Sequence, residues 1–305
     1  MAGGRQWTLA ADVGGTNMRV ALVDGSGRVA GRREAATPHA DPEPLALVEL
    51  MRQQLASAPA ARAVVGMPGP VDYQAGRLYA APHLPPSWLP HLTEERLSEA
   101  LGLPVSLAND ADLAAVGEAY FGAGRDFADV AYVTISTGIG AGVVLGGRLV
   151  HGRRSMAEVG HTVIDLAAFR AGEPATFEEL ASGTALARLA QAGGIVGGGA
   201  GLERLVAAGD EGATAIWELV LEAIGVGLGN VVEVFSPDVI VVGGGVGLSG
   251  PGLLEPVRQH LARHRGPAMR SDLKVVRAAL GDDAGLAGAA GWARAFEPRV
   301  ASRAG

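Results

Sequence analysis

The chain has 305 residues, a formal net charge of −7 and no cysteine, which excludes disulfides, thiolate zinc sites, iron–sulfur clusters and cysteine nucleophiles. The acidic balance speaks against general binding of nucleic acid or membrane surfaces. With no signal-peptide-like start and no apolar run of the roughly 18 residues a membrane span needs, the sequence reads as a soluble, cytoplasmic protein with room for two domains.

The first predicted strand covers Trp7–Val13, with a hairpin partner around Arg19–Asp24 and a third strand near Arg28–Glu34 after the turn DGSG. Residues 42–57 carry helical spacing, with Leu45, Leu47, Val48, Met51 and Leu55 on one side. ARAVVGMPGPV reads as a short buried strand ending in a Gly-Pro loop. LPVSLAND is another strand, broken by Asn-Asp before a helix at about 111–121. Then the opening pattern returns: VAYVTISTGIGAGVVLGGRLVHGRR (130–154) again reads strand, glycine turn, strand, Gly-Gly hairpin, strand. Helices follow at roughly 178–192 and 213–234, then the strand DVIVVGGG, a helix near 252–264, a strand at 273–278 and a final helix. The segment AQAGGIVGGGAG reads as a plain loop. A hairpin-rich start followed by alternating helix and strand, twice over, predicts two related α/β lobes.

Chemistry gathers at three glycine turns, each after a short apolar strand: DVGGTNMR (12–19), STGIGAG (136–142) and VVGGGVG (241–247). Glycine lets backbone amides converge on an anion, and the hydroxyls of Thr16, Ser136 and Thr137 add donors. Lys274 is the only lysine among 25 basic residues and has no glycine loop beside it. A P-loop or a protein-kinase strand lysine is therefore excluded. Asp12 before its turn suits either an Asx turn or a carboxylate facing a magnesium ion through water. Arg19 suits a structural ion pair as well as a ligand contact.

On these motifs the sequence resembles the ROK sugar kinases of the actin-like ATPase superfamily, from Asp12 to about Ala290. DVGGTNMR matches the family's first phosphate motif and TISTGIGAG the second, while VVGGGVG resembles the adenosine motif. AEVGHTV carries the Glu-x-Gly-His signature as Glu158, Gly160 and His161. The implied fold is α/β, a two-lobed actin-like (ribonuclease H-like) fold with a mixed sheet flanked by helices in each lobe. Residues 1–108 plus about 284–305 would form the small lobe and 109–283 the large one.

The resemblance implies ATP and Mg²⁺ as cofactors. Phosphates would be bound by Asp12, Gly14, Gly15, Thr16, Thr137, Gly138 and Gly140, adenosine by Gly243, Gly244 and Gly245, and Mg²⁺ by Asp12 through water. In LANDADLAAVGE the family's catalytic base falls on Asp110, at a helix start where the dipole favours the carboxylate. Asn109, Glu158, His161, Glu178, His83 and Gly69 would contact the sugar. Expected partners are the sugar, ATP and a second copy of the chain as a homodimer, with no nucleic acid and no membrane.

The sequence also departs from the family. Relatives follow Glu-x-Gly-His with a cysteine cluster that holds zinc; here TVIDLAAFRAGEPA has no cysteine, so no zinc is expected. Apolar packing by Val163, Ile164, Leu166 and Phe169 is expected to hold that loop instead. His83 stands where relatives have a sugar-contacting asparagine, and Asp112 where an asparagine is common. The leading expectation is a hexose kinase acting on the sugar 6-hydroxyl, glucose first and N-acetylmannosamine second. A sugar-responsive repressor is disfavoured because only eleven residues precede Asp12, and a non-catalytic sensor because Asp110 and both phosphate motifs are present.

Overall fold

A computed structural model describes residues 6–81, 83–250, 252–263, 266 and 268–296. Two compact units divide the chain: the first draws on residues 1–125, 144–156 and 282–305, the second on 126–143 and 157–281.

The first unit opens with β1 (Trp7–Val13), β2 (Asn17–Val23) and β3 (Val29–Ala36). β1 buries Leu9, Ala10, Ala11 and Val13 completely, as a central strand covered on both faces must. Then come α1 (Leu45–Leu55), β4 (Ala60–Met67), the short pair β5 (Val71–Asp72) and β6 (Arg77–Leu78), α2 (Glu94–Leu101), β7 (Val105–Asn109) and α3 (Asp110–Phe121). The sheet order is β3-β2-β1-β4-β7. β1 pairs antiparallel with β2, which pairs antiparallel with β3, while β1–β4 and β4–β7 are parallel.

The second unit repeats the scheme with β8 (Val130–Ile135) and β9 (Ile139–Leu145), whose last residues belong to the first unit together with β10 (Arg148–Leu149). After α4 (Leu166–Ala171), α5 (Phe177–Ala181), α6 (Gly183–Ala192) and α7 (Gly198–Ala207) comes the long α8 (Glu211–Phe235). β11 (Val239–Gly243), α9 (Gly244–Ser249), α10 (Leu254–Leu261) and β12 (Lys274–Arg277) follow. The second sheet runs β10-β9-β8-β11-β12, the same order in sequence terms as the first. The chain ends its described part in the first unit with α11 (Ala284–Ala295). Gly117 of α3 faces the Ala284 carbonyl and Gly288 of α11 faces the Leu113 carbonyl so closely that neither has room for a Cβ. The two mixed five-stranded sheets with flanking helices bear out the expected fold class.

Four expectations need correction. The helix read at 178–192 is two helices, because Ser182 leaves the helical conformation and its Oγ accepts from the Ala185 amide to cap α6. The glycine-rich loop is partly helical: α7 begins at Gly198, where Leu202 is fully buried and fixes the helix against its unit. The loop after His161 is not held by apolar packing, since Val163, Leu166 and Phe169 are 42%, 58% and 59% exposed. Backbone bonds hold it instead: Ile164 and Asp165 donate to the Ala175 carbonyl and Phe177 donates to Thr162. Asp165 caps α4, and Thr176 with Glu179 forms a capping box on α5. Finally, α8 is long and apolar enough to cross a membrane by length and composition. Trp217, Val220, Leu221, Ile224 and Leu228 nevertheless pack it inside its unit.

Candidate active site

In the first unit the candidate residues sit at the ends of β1, β4 and β7. Asp12 lies opposite Arg19 on β2 and beside Gly66 on β4. The missing side chains of Gly66 and Gly285 leave space around its carboxylate: a Cβ on either would stand 3.6 Å from Asp12 atoms. Burial pushes the Asp12 carboxyl above the usual carboxylate range, the Asp282 charge adds to this, and the Arg19 and Arg32 guanidiniums oppose it. Arg19 lies 3.7 Å from Asp12, 3.6 Å from Glu34 and 3.6 Å from Asp282. It is the centre of an ion-pair network.

The turn after β1 closes with the Gly14 amide on the Asn17 carbonyl at 2.8 Å. Gly15 is flanked by two histidines. Its carbonyl meets His39 Nε2 at 2.6 Å, and a Cβ on it would lie 2.9 Å from the Cβ of His83. The exposed His83 is thus placed against the turn after β1, and Thr16 is exposed beside it.

Asn109, at the end of β7, caps α3: its Oδ1 accepts the amides of Ala111 (3.0 Å) and Asp112 (3.1 Å), and its Nδ2 donates to the Gly69 carbonyl at 3.0 Å. Gly69 has φ +119 and packs on the Ala80 carbonyl with no room for a side chain. Capping therefore falls to Asn109, and Asp110, the first helical residue, is half-buried with its Oδ1 accepting from the Ala111 amide at 2.8 Å. Sequence reasoning missed Tyr73, whose hydroxyl accepts from the Asn109 amide and donates to Asp112. No local signal marks that tyrosine, because its role depends on the β5–β6 hairpin meeting α3.

In the second unit the turn between β8 and β9 is gripped from several sides. The Ser136 carbonyl accepts the Gly183 amide at 2.6 Å, and the Thr137 carbonyl accepts the Thr184 hydroxyl at 2.8 Å. The break at Ser182 is what aims the start of α6 at this turn. Glu178 Oε2 accepts the Ile139 amide at 2.7 Å. Gly160 of the Glu-x-Gly-His signature packs directly on the Ile139 carbonyl. Glu158, Glu178 and His161 lie within electrostatic range: partial burial raises the Glu158 carboxyl, His161 opposes this and the Glu178 charge adds to it. Gly140 continues into β9.

At the end of β11, Gly243 packs on the Tyr132 ring and Gly244, with φ +79, on the Ile135 carbonyl, whereas a Cβ on Gly245 would meet nothing within 4 Å. Two of these glycines are demanded by packing, and the third faces open space. Among the described residues no group of three His, Asp or Glu side chains is placed to hold a metal ion.

Duplicated α/β units with glycine turns at the strand ends define the actin-like fold. The ROK family model matches residues 8–295, and the chain belongs to the ROK family. Over 95% of this chain and 98% of its relative, it is 31% identical to a glucokinase of Streptomyces coelicolor. It is 34% identical to an N-acetylmannosamine kinase of Escherichia fergusonii, over 93% of this chain and 97% of that one. The crystal structure of a ROK family glucokinase from Streptomyces griseus in complex with glucose and AMPPNP superposes with a TM-score of 0.75 at 30% identity, covering 93% and 98% of the two chains.

Proposed function

We propose that this chain is an ATP-dependent hexose kinase that transfers the γ-phosphoryl group to the 6-hydroxyl of a sugar, with glucose as the preferred acceptor. The observation that carries this reading is the arrangement at the start of α3, where Asn109 is the N-cap and Asp110 follows directly after β7 as the first helical residue, half-buried, with Oδ1 on the Ala111 amide. Phosphoryl transfer to an alcohol has a loose transition state, so positioning and charge do most of the catalysis. Asp110 would orient the sugar hydroxyl and accept its proton, and the N-terminal dipole of α3 favours the anionic form that such an acceptor requires.

The residues fit a nucleotide with its magnesium. Asp12 offers the carboxylate oxygens that a hard cation's waters take, and the exposed Thr16 a hydroxyl for the phosphates. Gly245 opens onto free space, and Thr137 presents an exposed hydroxyl beside the second turn. Magnesium, when bound, neutralises phosphate charge. The chain's own contribution is to hold the phosphates by backbone amides and to keep Asp12 in place through Arg19. Glu158, His161 and Glu178 would meet sugar hydroxyls, whose loss on burial without partners costs about 1–3 kcal/mol each.

Support for glucose comes from the Streptomyces coelicolor relative and from the glucose complex of the Streptomyces griseus enzyme. N-acetylmannosamine is the second reading, favoured by the similarity to the Escherichia fergusonii kinase. Coupled ADP release, screened across glucose, mannose, fructose, N-acetylglucosamine and N-acetylmannosamine, tests both. Glucose-dependent release supports the proposal, fastest release with N-acetylmannosamine selects the second reading, and no sugar-dependent release refutes kinase activity. A homodimer, implied by the family resemblance, and a cytoplasmic location complete the proposal.

A further inference from the structure

The Ile139 peptide has an uncommon position. Its amide donates to Glu178, a residue assigned to the sugar, while its carbonyl is packed on Gly160 of the sugar signature. Yet Ile139 opens β9 directly after Gly138, inside the glycine motif assigned to the phosphates. We infer that Glu178 is a positioning residue of the phosphate turn as well as a sugar ligand, and that nucleotide and sugar binding are coupled through the Ile139 peptide. This deepens the kinase reading and rests on it.

Three features carry the inference. First, a carboxylate beside a phosphate turn repels the anion that the turn would bind. A fold that keeps one there, hydrogen-bonded at 2.7 Å to the turn's own backbone, gains a charge-assisted bond that sets the turn's shape. Second, Gly138 leaves room for that carboxylate: a Cβ there would stand 2.5 Å from Glu178 Oε2. The glycine of the turn and the acid of α5 are matched to each other. Third, Glu178 is rigidly mounted. Its neighbour Phe177 is fully buried and packs on the bare backbone of α8 at Gly227, where a Cβ would lie 2.6 Å from the ring.

Glu178 Oε2 is occupied by the turn, and among the described residues Oε1 accepts no hydrogen bond. One oxygen is therefore available to a sugar hydroxyl while the other holds the Ile139 amide. A sugar that draws on Oε1 immobilises the same carboxylate that shapes the turn, and a nucleotide that requires that shape binds better. The coupling is reciprocal by linkage.

The test uses the full chain with AMPPNP and glucose as probes. Calorimetric AMPPNP affinity, measured without sugar, is expected to fall about tenfold in Glu178→Ala, the cost of one charge-assisted hydrogen bond. Glu178→Gln, which keeps a neutral acceptor at the same reach, is expected to lose less affinity than Glu178→Ala. Hydrogen exchange at the Ile139 amide is expected to accelerate in Glu178→Ala and to a smaller extent in Glu178→Gln. In wild type, saturating glucose is expected to tighten AMPPNP, and Glu178→Ala to lose that tightening. Unchanged AMPPNP affinity in Glu178→Ala, with glucose affinity alone reduced, would make Glu178 a sugar contact only and overturn the inference. So would unchanged exchange at Ile139 in a folded Glu178→Ala. These readouts need no turnover: a wild-type chain that binds AMPPNP without phosphorylating any sugar would refute the proposed activity and leave the positioning role standing. A wild-type chain that binds no AMPPNP would overturn the coupling itself.

Discussion

The Tyr73 hydroxyl donates a 2.7 Å hydrogen bond to Asp112 Oδ2 and accepts one of 3.2 Å from the Asn109 amide. Asp112 is fully buried, and the tyrosine ring is packed among His151, Trp292 and Phe296 at centroid distances of 5.6, 5.9 and 4.9 Å. Burial, and then the Asp112 charge, push the Tyr73 hydroxyl well above its ordinary pKa, so it remains a donor across the working pH range. Tyr73→Phe is expected to cost about 1–3 kcal/mol of stability by removing that partner from both groups. Asp112→Asn, which keeps an oxygen acceptor for the tyrosine, is expected to cost less. Urea unfolding midpoints rank the two, and the reverse order would contradict this role for the hydroxyl.

A second buried acid gives a pH dependence. Burial raises the Asp72 carboxyl, but the Ala75 amide and the Arg153 guanidinium outweigh it and hold it below the usual carboxylate range. A depressed folded-state pKa adds stability that is present above the unfolded value of about 3.9 and is lost as pH falls through the folded value. Asp72→Asn is therefore expected to melt below wild type at neutral pH, with the gap closing as the solution is acidified below about pH 4. A gap that widens on acidification would contradict the sign.

The glycines at the end of β11 separate packing from binding. Gly244→Ala is expected to destabilise the chain, because φ is +79 and the Cβ would strike the Ile135 carbonyl. Gly245→Ala is expected to leave stability within about 0.5 kcal/mol, having open space, while AMPPNP affinity falls. Calorimetry and thermal unfolding on the same preparations check both, and full AMPPNP affinity in Gly245→Ala would remove Gly245 from the nucleotide site.

Much of this arrangement was legible because local chemistry and tertiary structure agree. β1 falls on Trp7–Val13 as read, since a continuous apolar run bounded by Gly-Gly has few alternatives. The duplicated hairpin is likewise written in glycine turns. The misread parts are those where a cap or a distant partner decides. Ser182 interrupts a helical pattern through its own hydroxyl, and α7 forms in a glycine-rich stretch because Leu202 finds a core. The loop after His161 looks like an apolar clamp in sequence but is closed by backbone bonds. Tyr73 and His39 reach the candidate site only through tertiary approach.

Metal removal distinguishes magnesium dependence from a zinc requirement. The chain has no cysteine, and the 162–177 segment is tied by its own backbone and caps. Chelation followed by excess Mg²⁺ is expected to restore all phosphotransfer. Activity that returns only on adding Zn²⁺ would reveal a structural site that the cap-and-backbone arrangement does not require.

The most direct measurement is glucose phosphorylation by Asp110→Asn, set beside the binding of glucose and AMPPNP to the same variant. Removal of the proton acceptor is expected to lower kcat by about 10²–10⁴-fold while both ligands still bind. Turnover near the wild-type rate would show that Asp110 is not the base and that the start of α3 does no more than begin a helix.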